Sequence, residues 1–362
     1  MKIALVTLTR GNLSGGSRKH LQRLVPLLRA HPEVESVREL MPPGLAGDGQ
    51  LTWPAHDELF GFPALRRTLL ALQPDVVFIP TARWLRVTGV PVVTMVRNME
   101  PLEVPLRGNT MFEGARNLGR AIAARRACRH SDRVIAVSDH VREFLVDRWN
   151  IPSTKIGTVY HGVDTVSEDG AVPASVASIE GSRFLFTAGS VRPARGLEDL
   201  VAALPGVSSD VRLVIAGSVD RGAESYHRDL LRLAEEKGVA SRIVWAGQLD
   251  ASEMAWCFRA ATLFVTTSRV EACPNTVLEA MAYGAVSVST DHKPMPEFFA
   301  DSALYYRERD AADLSQRLNE ALALTTEARA RIRDIALARA GHYTWEATAN
   351  ATVAELQRAI GS

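Results

Sequence analysis

Short apolar runs alternate with helical runs along the whole chain. In the first half, strands are predicted at Lys2–Leu8, Asp75–Ile79, Pro91–Val96, Arg133–Val137 and Lys155–Tyr160. Helices are predicted at Arg18–Ala30, Leu65–Leu72, Asn109–His130 and Asp139–Arg148, the last capped by Ser138. Met41–Gly61, rich in Pro and Gly, gives no assignment. Thr165–Ser182, with small and acidic residues around Pro173, reads as an interdomain linker. A second series follows, with strands Phe184–Ala188, Val211–Ala216, Ile243–Ala246, Leu263–Thr267, Ala285–Ser289 and Ala303–Tyr306. Its helices are Leu197–Leu204, Tyr226–Lys237, Glu253–Ala260 capped by Ser252, one from Asn275 or Thr276 to Tyr283, Asp310–Leu324 and Glu327–Ala340. A tail helix, Trp345–Ile360, closes the chain. Two successive βα series predict an α/β chain of two doubly wound, parallel-sheet domains, at 1–164 and 183–342, with a tail at 343–362.

Composition narrows the class. At 362 residues, 46% hydrophobic and 23% charged, the chain is globular and long enough for about two domains. Its apolar start is short and runs into Arg10, so it reads as a buried strand and not a leader. No apolar run approaches a membrane span. Cys128, Cys257 and Cys273 are far apart and odd in number, which fits a reduced cytoplasmic chain without a disulfide framework or zinc site. Charge is unevenly placed. Residues 1–163 carry 22 Lys and Arg against 14 Asp and Glu, and the remainder 20 against 27. The first half is thus expected to meet something acidic, an anionic acceptor or the inner face of a membrane, and not nucleic acid. The 109–130 helix alone is not that patch. Arg116 and Arg120 share one face while Arg125 and Arg129 point the other way, so it is basic all round.

The chemistry concentrates in Thr262–Asp291, a strand, loop, helix and strand in succession. Strand-to-helix loops lie at the carboxyl edge of a parallel sheet, where ligands bind. A helix N-terminus, here expected with Asn275 as its cap and Gly284 as its stop, suits a phosphate. Glu271 in the loop and Glu279 in the first turn are carboxylates, which accept hydrogen bonds from hydroxyls and do not bind phosphate. Hydroxyl acceptors on either side of an anion site describe a ligand with sugar, phosphate and sugar in a row. In the first half, Gly15-Gly16 in the loop Thr9–Ser17 allows close backbone approach. There is no G-x-G-x-x-G with an acidic partner, which argues against a dinucleotide dehydrogenase.

On these residues the chain resembles the retaining glycosyltransferases of family 4, two-domain enzymes of the GT-B fold. Glu271 and Glu279, in E-A-C-P-N-T-V-L-E-A-M-A-Y-G, match that family's E-x7-E signature. Supporting matches are the loop Gly189–Gly196, D-R-V-I-A-V-S-D at Asp132–Asp139, His161–Asp164 as a variant of N-G-V-D, and Thr344-Trp345-Glu346. The resemblance implies two Rossmann-like domains facing across a cleft that closes on the donor, and a tail helix crossing back to the first domain. It implies transfer of a hexose from a UDP- or GDP-sugar to a glycan, lipid-linked or small-molecule acceptor. It also implies retention by front-face displacement, with the leaving phosphate taking the acceptor proton, and no cofactor or metal.

Roles follow by position. Glu279 is expected to hold the ribose hydroxyls, Glu271 the donor-sugar hydroxyls, and the backbone around Cys273, Pro274, Asn275 and Thr276 the diphosphate. Gly189 and Ser190 are also expected to bind the donor. Gln248 and Leu249 meet the base, and Gly16 closes over the phosphate. The acceptor side comprises Gly15, Arg18, Arg97 and Asn98. Two positions depart from the family. It usually has an arginine after the first glycine of the 189–196 loop and a lysine before the last; here Ser190 and Arg195 stand there, with Arg192 the candidate replacement for the missing arginine. The family's first-domain histidine is replaced by Arg97-Asn98. An alternative reading is therefore a sugar-nucleotide-binding or scaffold protein that has lost turnover.

Overall fold

The structure, a computed structural model, describes the chain except for residues 9–14, 43, 55–56, 58–60, 104–110, 165–169, 221 and 362 and the side chains of 111–113. It divides into two compact units, Met1–Gly162 with Tyr343–Ser362, and Val163–His342. The first runs β1 (Lys2–Val6), α1 (Gly15–Ala30), β2 (Ser36–Leu40), α2 (Pro63–Leu72), β3 (Val76–Ile79), β4 (Val92–Val96), α3 (Glu100–Glu103), α4 (Met111–His130), β5 (Arg133–Ala136), α5 (Asp139–Asp147) and β6 (Ile156–Thr158). Its six strands are all parallel, in the order β2-β1-β3-β4-β5-β6. Every residue of β3 and β4 is buried, as expected of strands covered by helices on both faces.

The second unit runs β7 (Phe184–Ala188), α6 (Leu197–Ala203), β8 (Arg212–Ala216), α7 (Glu224–Glu236), β9 (Ile243–Gly247), α8 (Ala251–Ala260), β10 (Leu263–Thr266), α9 (Asn275–Ala282), β11 (Ser287–Thr290), α10 (Met295–Phe299), β12 (Ala303–Tyr306), α11 (Ala311–Leu322) and α12 (Thr326–Ala340). Its sheet is also six-stranded and parallel, in the order β12-β11-β10-β7-β8-β9. Phe186, Phe258 and Phe264 pack ring against ring on one face, and Leu213, Ile215, Val265 and Val288 fill the other core.

Helix α13 (Trp345–Ile360) belongs to the first unit. Thr344 caps it by accepting from Ala347 N, and Thr348 Oγ1 donates to Tyr160 O at 2.9 Å. Its buried Glu355 pairs with Arg133 at 2.6 Å, at the start of β5. That carboxylate fills the space a side chain at position 157 would need, so β6 carries a glycine where the helix crosses it.

Local chemistry moved several boundaries. The hydrophobic pattern gives no sign of β2, because it is an edge strand with polar residues at Ser36, Arg38 and Glu39. Helix α1 starts at Gly15, so the two glycines expected in a loop are its first residues. The cap of α8 is Asp250 and not Ser252. Asp250 accepts from Glu253 N while Glu253 accepts from Asp250 N, a reciprocal capping box, and Ser252 instead accepts from Ala171 N. The loop expected at Thr9–Ser17, the start of the helix expected at Asn109 and the linker start at Thr165 lie wholly or partly outside the described residues.

Candidate functional site

In the second unit the strand order reverses between β7 and β10. The chain leaves β7 toward β8 and β9 on one side, while β10 lies on the other with β11 and β12 beyond it. The loops after β7 and β10 therefore part at the carboxyl edge and open a crevice between them, the place where open α/β sheets bind ligands. Two glycines shape the first of these loops, Gly189 by letting Arg195 fold back on it and Gly196 by letting it meet the second loop. Gly189 has φ +136°, and a Cβ there would lie 2.9 Å from the Arg195 guanidinium, which rests flat against it. Gly196 has φ +61°, and a Cβ there would overlap Thr267 O.

Arg195 ends a short 3₁₀ turn, Pro193–Arg195, and its side chain crosses the crevice. Its Nη1 donates to Glu271 Oε1 and, at 3.2 Å, to Ser268 Oγ. The two side chains are only 19% and 13% exposed, so the pair is largely withdrawn from water. Backbone ties hold both partners: Thr267 Oγ1 donates to Arg195 O, and Arg269 N to Ala194 O, each at 2.8 Å. Arg195 Nε is buried and has no hydrogen-bond partner among the described residues.

Beneath this pair lies a network that sequence reasoning missed. Arg269 is buried and forks onto Asp199, with both nitrogens at 2.7 Å, and onto Glu198 at 3.0 Å. Tyr306 OH and Arg309 N complete the Asp199 carboxylate at 3.2 Å each. Tyr226 OH donates to Glu198 and accepts from Leu197 N. Burial alone would lower the Arg269 pKa, but hydrogen bonds and charge from Asp199 and Glu198 overturn that and hold it above its ordinary value. Burial, with the Glu198 and Asp199 charges, likewise raises the Tyr226 and Tyr306 phenols. The only local sign was an arginine two residues before Glu271, which looks like any loop arginine until its partners on α6 fold beside it.

The remaining predicted residues fall around the crevice. Cys273 and Pro274 are buried, and Thr276 and Ser190 half-buried. Asn275 is not the cap of α9. Pro274 occupies the cap position, the helix has no side-chain cap, and Asn275 Oδ1 is buried without a hydrogen-bond partner among the described residues. Glu279 is accordingly in the second turn and not the first. Four residues after Asn275 it lies on the same face, and helical side chains lean toward the N-terminus, so it still points at that end. Arg192 turns toward the loop after β8, where Nη1 lies 3.6 Å from Asp220. Gln248 is exposed beyond β9, two strands from β7 on the same edge, and Leu249 behind it is buried.

In the first unit, Arg97 Nη2 donates to Gly16 O at 2.9 Å, which ties the end of β4 to the start of α1. Asn98 is used structurally: its Oδ1 accepts from Glu100 N at the start of α3. Arg18 is exposed, as is Gly15. His20, also missed, is buried with its ring 4.9 Å from His161 and 5.7 Å from Trp345. Neither His20 nitrogen has a hydrogen-bond partner among the described residues. Burial, then the charges of Arg97 and His161, push its pKa well below the usual histidine value. On α4, Leu118 and Ile122 are 46% and 63% exposed, so this helix presents apolar side chains among its arginines and is not uniformly basic. Among the described residues no group of three or more His, Cys, Asp and Glu side chains could hold a metal, and no helix is long and apolar enough to cross a membrane.

Residues 171–339 match the family model for glycosyl transferases group 1, and residues 19–167 that for glycosyltransferase family 4. The D-inositol 3-phosphate glycosyltransferases of Mycobacterium tuberculosis and Mycobacterium bovis are 25% identical over 252 residues, 67% of this chain and 52% of theirs. The chain thus spans about half the length of the curated relatives it matches. Anabaena Alr3699/HepE, solved in complex with UDP-glucose, superposes with a TM-score of 0.78 at 16% identity, over 99% of this chain and 100% of that one. WaaG, a glycosyltransferase involved in lipopolysaccharide biosynthesis, gives 0.72 at 16% identity, over 98% and 99%. At such identities the likeness of structure establishes the fold.

Proposed function

The chain belongs to the GT-B glycosyltransferases of the family-4 type, and from that premise we propose that it moves a hexose from a UDP- or GDP-linked donor to a glycan, lipid-linked or small-molecule acceptor. The observation that carries this reading is the Arg195–Glu271 pair, an anion binder and a hydroxyl acceptor side by side at the switch point of the second sheet. In this reading Arg195 and the uncapped N-terminus of α9 receive the diphosphate, and their positive charge stabilises it as it departs. Glu271 accepts from sugar hydroxyls and Glu279 from the ribose. The edge at Gly247–Leu249 meets the base.

Configuration is retained by front-face displacement, with the leaving phosphate accepting the acceptor proton, and no metal or general base is required. Arg192 lends charge to the phosphate when it leaves Asp220. The acceptor binds on the first unit near Gly15, Arg18, Arg97 and Asn98. An acceptor carried on an anionic bilayer suits the exposed Leu118 and Ile122 among the arginines of α4, because apolar contact and positive charge act together at such a surface. A cytoplasmic protein touching the inner face of a membrane would follow.

UDP-glucose is the first probe, since a protein of the same fold was solved with it. A thermal-shift panel of UDP, GDP and their hexose derivatives finds the donor, because a ligand of the folded state raises the melting point. Hydrolysis or transfer is then followed by NMR, in the presence and absence of EDTA. Retained configuration and EDTA-insensitive turnover are expected. Ser190 in the family's arginine position favours the second reading, a protein that binds nucleotide sugars without turning them over; binding with no hydrolysis or transfer would select it.

A further inference from the structure

We infer that the Arg195–Glu271 ion pair is a latch that makes the site discriminate a nucleotide sugar from the bare nucleoside diphosphate; this rests on the donor reading above. Glu271 Oε1 accepts from Nη1 of the arginine that would take phosphate. The pair cannot relax by moving its loops apart. Arg195 O is held by Thr267, Ala194 O by Arg269 N, and Arg269 by Asp199 and Glu198. Gly196 sits so close to Thr267 O that a side chain there would not fit between the loops.

A bare diphosphate therefore has two poor options. It can bind an arginine whose charge is half-neutralised, beside a carboxylate of its own sign. Otherwise it can draw Arg195 away and leave Glu271 without a partner at 13% exposure, which costs the desolvation of that group. A donor sugar removes the second cost, because its hydroxyls donate to Glu271 as the phosphates take Arg195. Glu271 thus lowers affinity for product nucleotide more than for substrate, and it favours release of the nucleoside diphosphate once the sugar has gone.

The test is calorimetric titration with UDP and UDP-glucose, or GDP and GDP-mannose if the guanine nucleotide binds, on wild type, Glu271→Gln, Arg195→Gln and the double variant. The isosteric Glu271→Gln should tighten the bare diphosphate about tenfold, the scale of one charge-assisted hydrogen bond, and weaken the nucleotide sugar. The gain should vanish in the Arg195→Gln background, since the latch needs both partners. A gain that persists there means simple repulsion by the carboxylate and overturns the latch. So does a Glu271→Gln protein that binds both ligands equally more weakly, or both unchanged, with an unaltered melting point in the absence of ligand. Wild-type protein that binds none of the four ligands overturns the donor reading and the latch with it, so the two failures are told apart.

Discussion

The two units share one architecture and differ in how polar side chains are used at their strand-order reversals. Each has six parallel strands and a reversal of strand order, between β1 and β3 in the first and β10 and β7 in the second. At the second reversal, polar side chains are committed to one another: Arg195 to Glu271, Arg269 to Asp199 and Glu198, Tyr226 and Tyr306 to the same carboxylates. Near the first, Arg97 makes a hydrogen bond to Gly16 O, and the two nitrogens of buried His20 find no partner among the described residues. A site that must recognise one fixed anion gains from charges held in place before the ligand arrives. Near the first reversal, by contrast, Arg97 is tied to a neutral backbone carbonyl and buried His20 is held neutral.

The sharpest test of this contrast is Arg269→Ala. Removing one partner of a buried ion pair leaves Asp199 uncompensated, so the second unit should lose about 3–5 kcal/mol and melt roughly 10 °C lower. Arg97→Ala, which removes the hydrogen bond to the neutral Gly16 carbonyl, should cost less than Arg269→Ala. Equal losses by differential scanning calorimetry would break the comparison. Arg195→Ala should lower turnover by about two to three orders of magnitude, the scale of a lost electrostatic donor, and should also lower the melting point, because Glu271 is left largely buried without its partner. Near wild-type turnover in a steady-state assay would remove Arg195 from the chemistry.

A pH titration reports on the first unit. His20 is held neutral by burial, with Arg97 and His161 disfavouring its charge, so its folded pKa lies below the unfolded value near 6.5. The unfolded chain then binds the extra proton first, and stability falls as pH drops below about 6.5 toward the folded pKa, by at most about 1.4 kcal/mol per pH unit. Melting between pH 7.5 and 5.5 should show this fall, reduced in His20→Leu; identical slopes would mean another group titrates. The smallest effect is chemical. Burial pushes the Cys128 and Cys257 thiols up to about 12, so alkylation of the native protein at pH 8 should leave both unmodified until denaturant is added.

Much of this was legible from residues. Strand β7, strand β12 and helix α13 fall where the pattern puts them, because runs such as Phe184–Ala188 and the capped Trp345–Ile360 carry their own periodicity and punctuation. Glu271, Arg195 and the helix after Pro274 stand out as candidates in the sequence alone. The caps of α8 and α9 were misplaced because adjacent Asp250, Ser252, Pro274 and Asn275 all suit a helix start, and only backbone conformation chooses among them. Edge strand β2 was lost for want of an apolar face. Arg269 and His20 could not be found, since neither carries a local signal and their partners lie about 70 or more positions away in sequence at Asp199 and Trp345.

By itself, then, the sequence determined the alternation of strands and helices, the two-series organisation and the residue types at the site, all of which rest on local propensity and on spacing within one loop. Only the tertiary structure decided that Arg195 faces Glu271, because the two sit on loops from strands that are neighbours in the sheet and separated by two further strands along the chain. The same holds for the buried charges beneath them. A side chain's partner is set by which strands lie side by side, and that order is a property of the folded sheet.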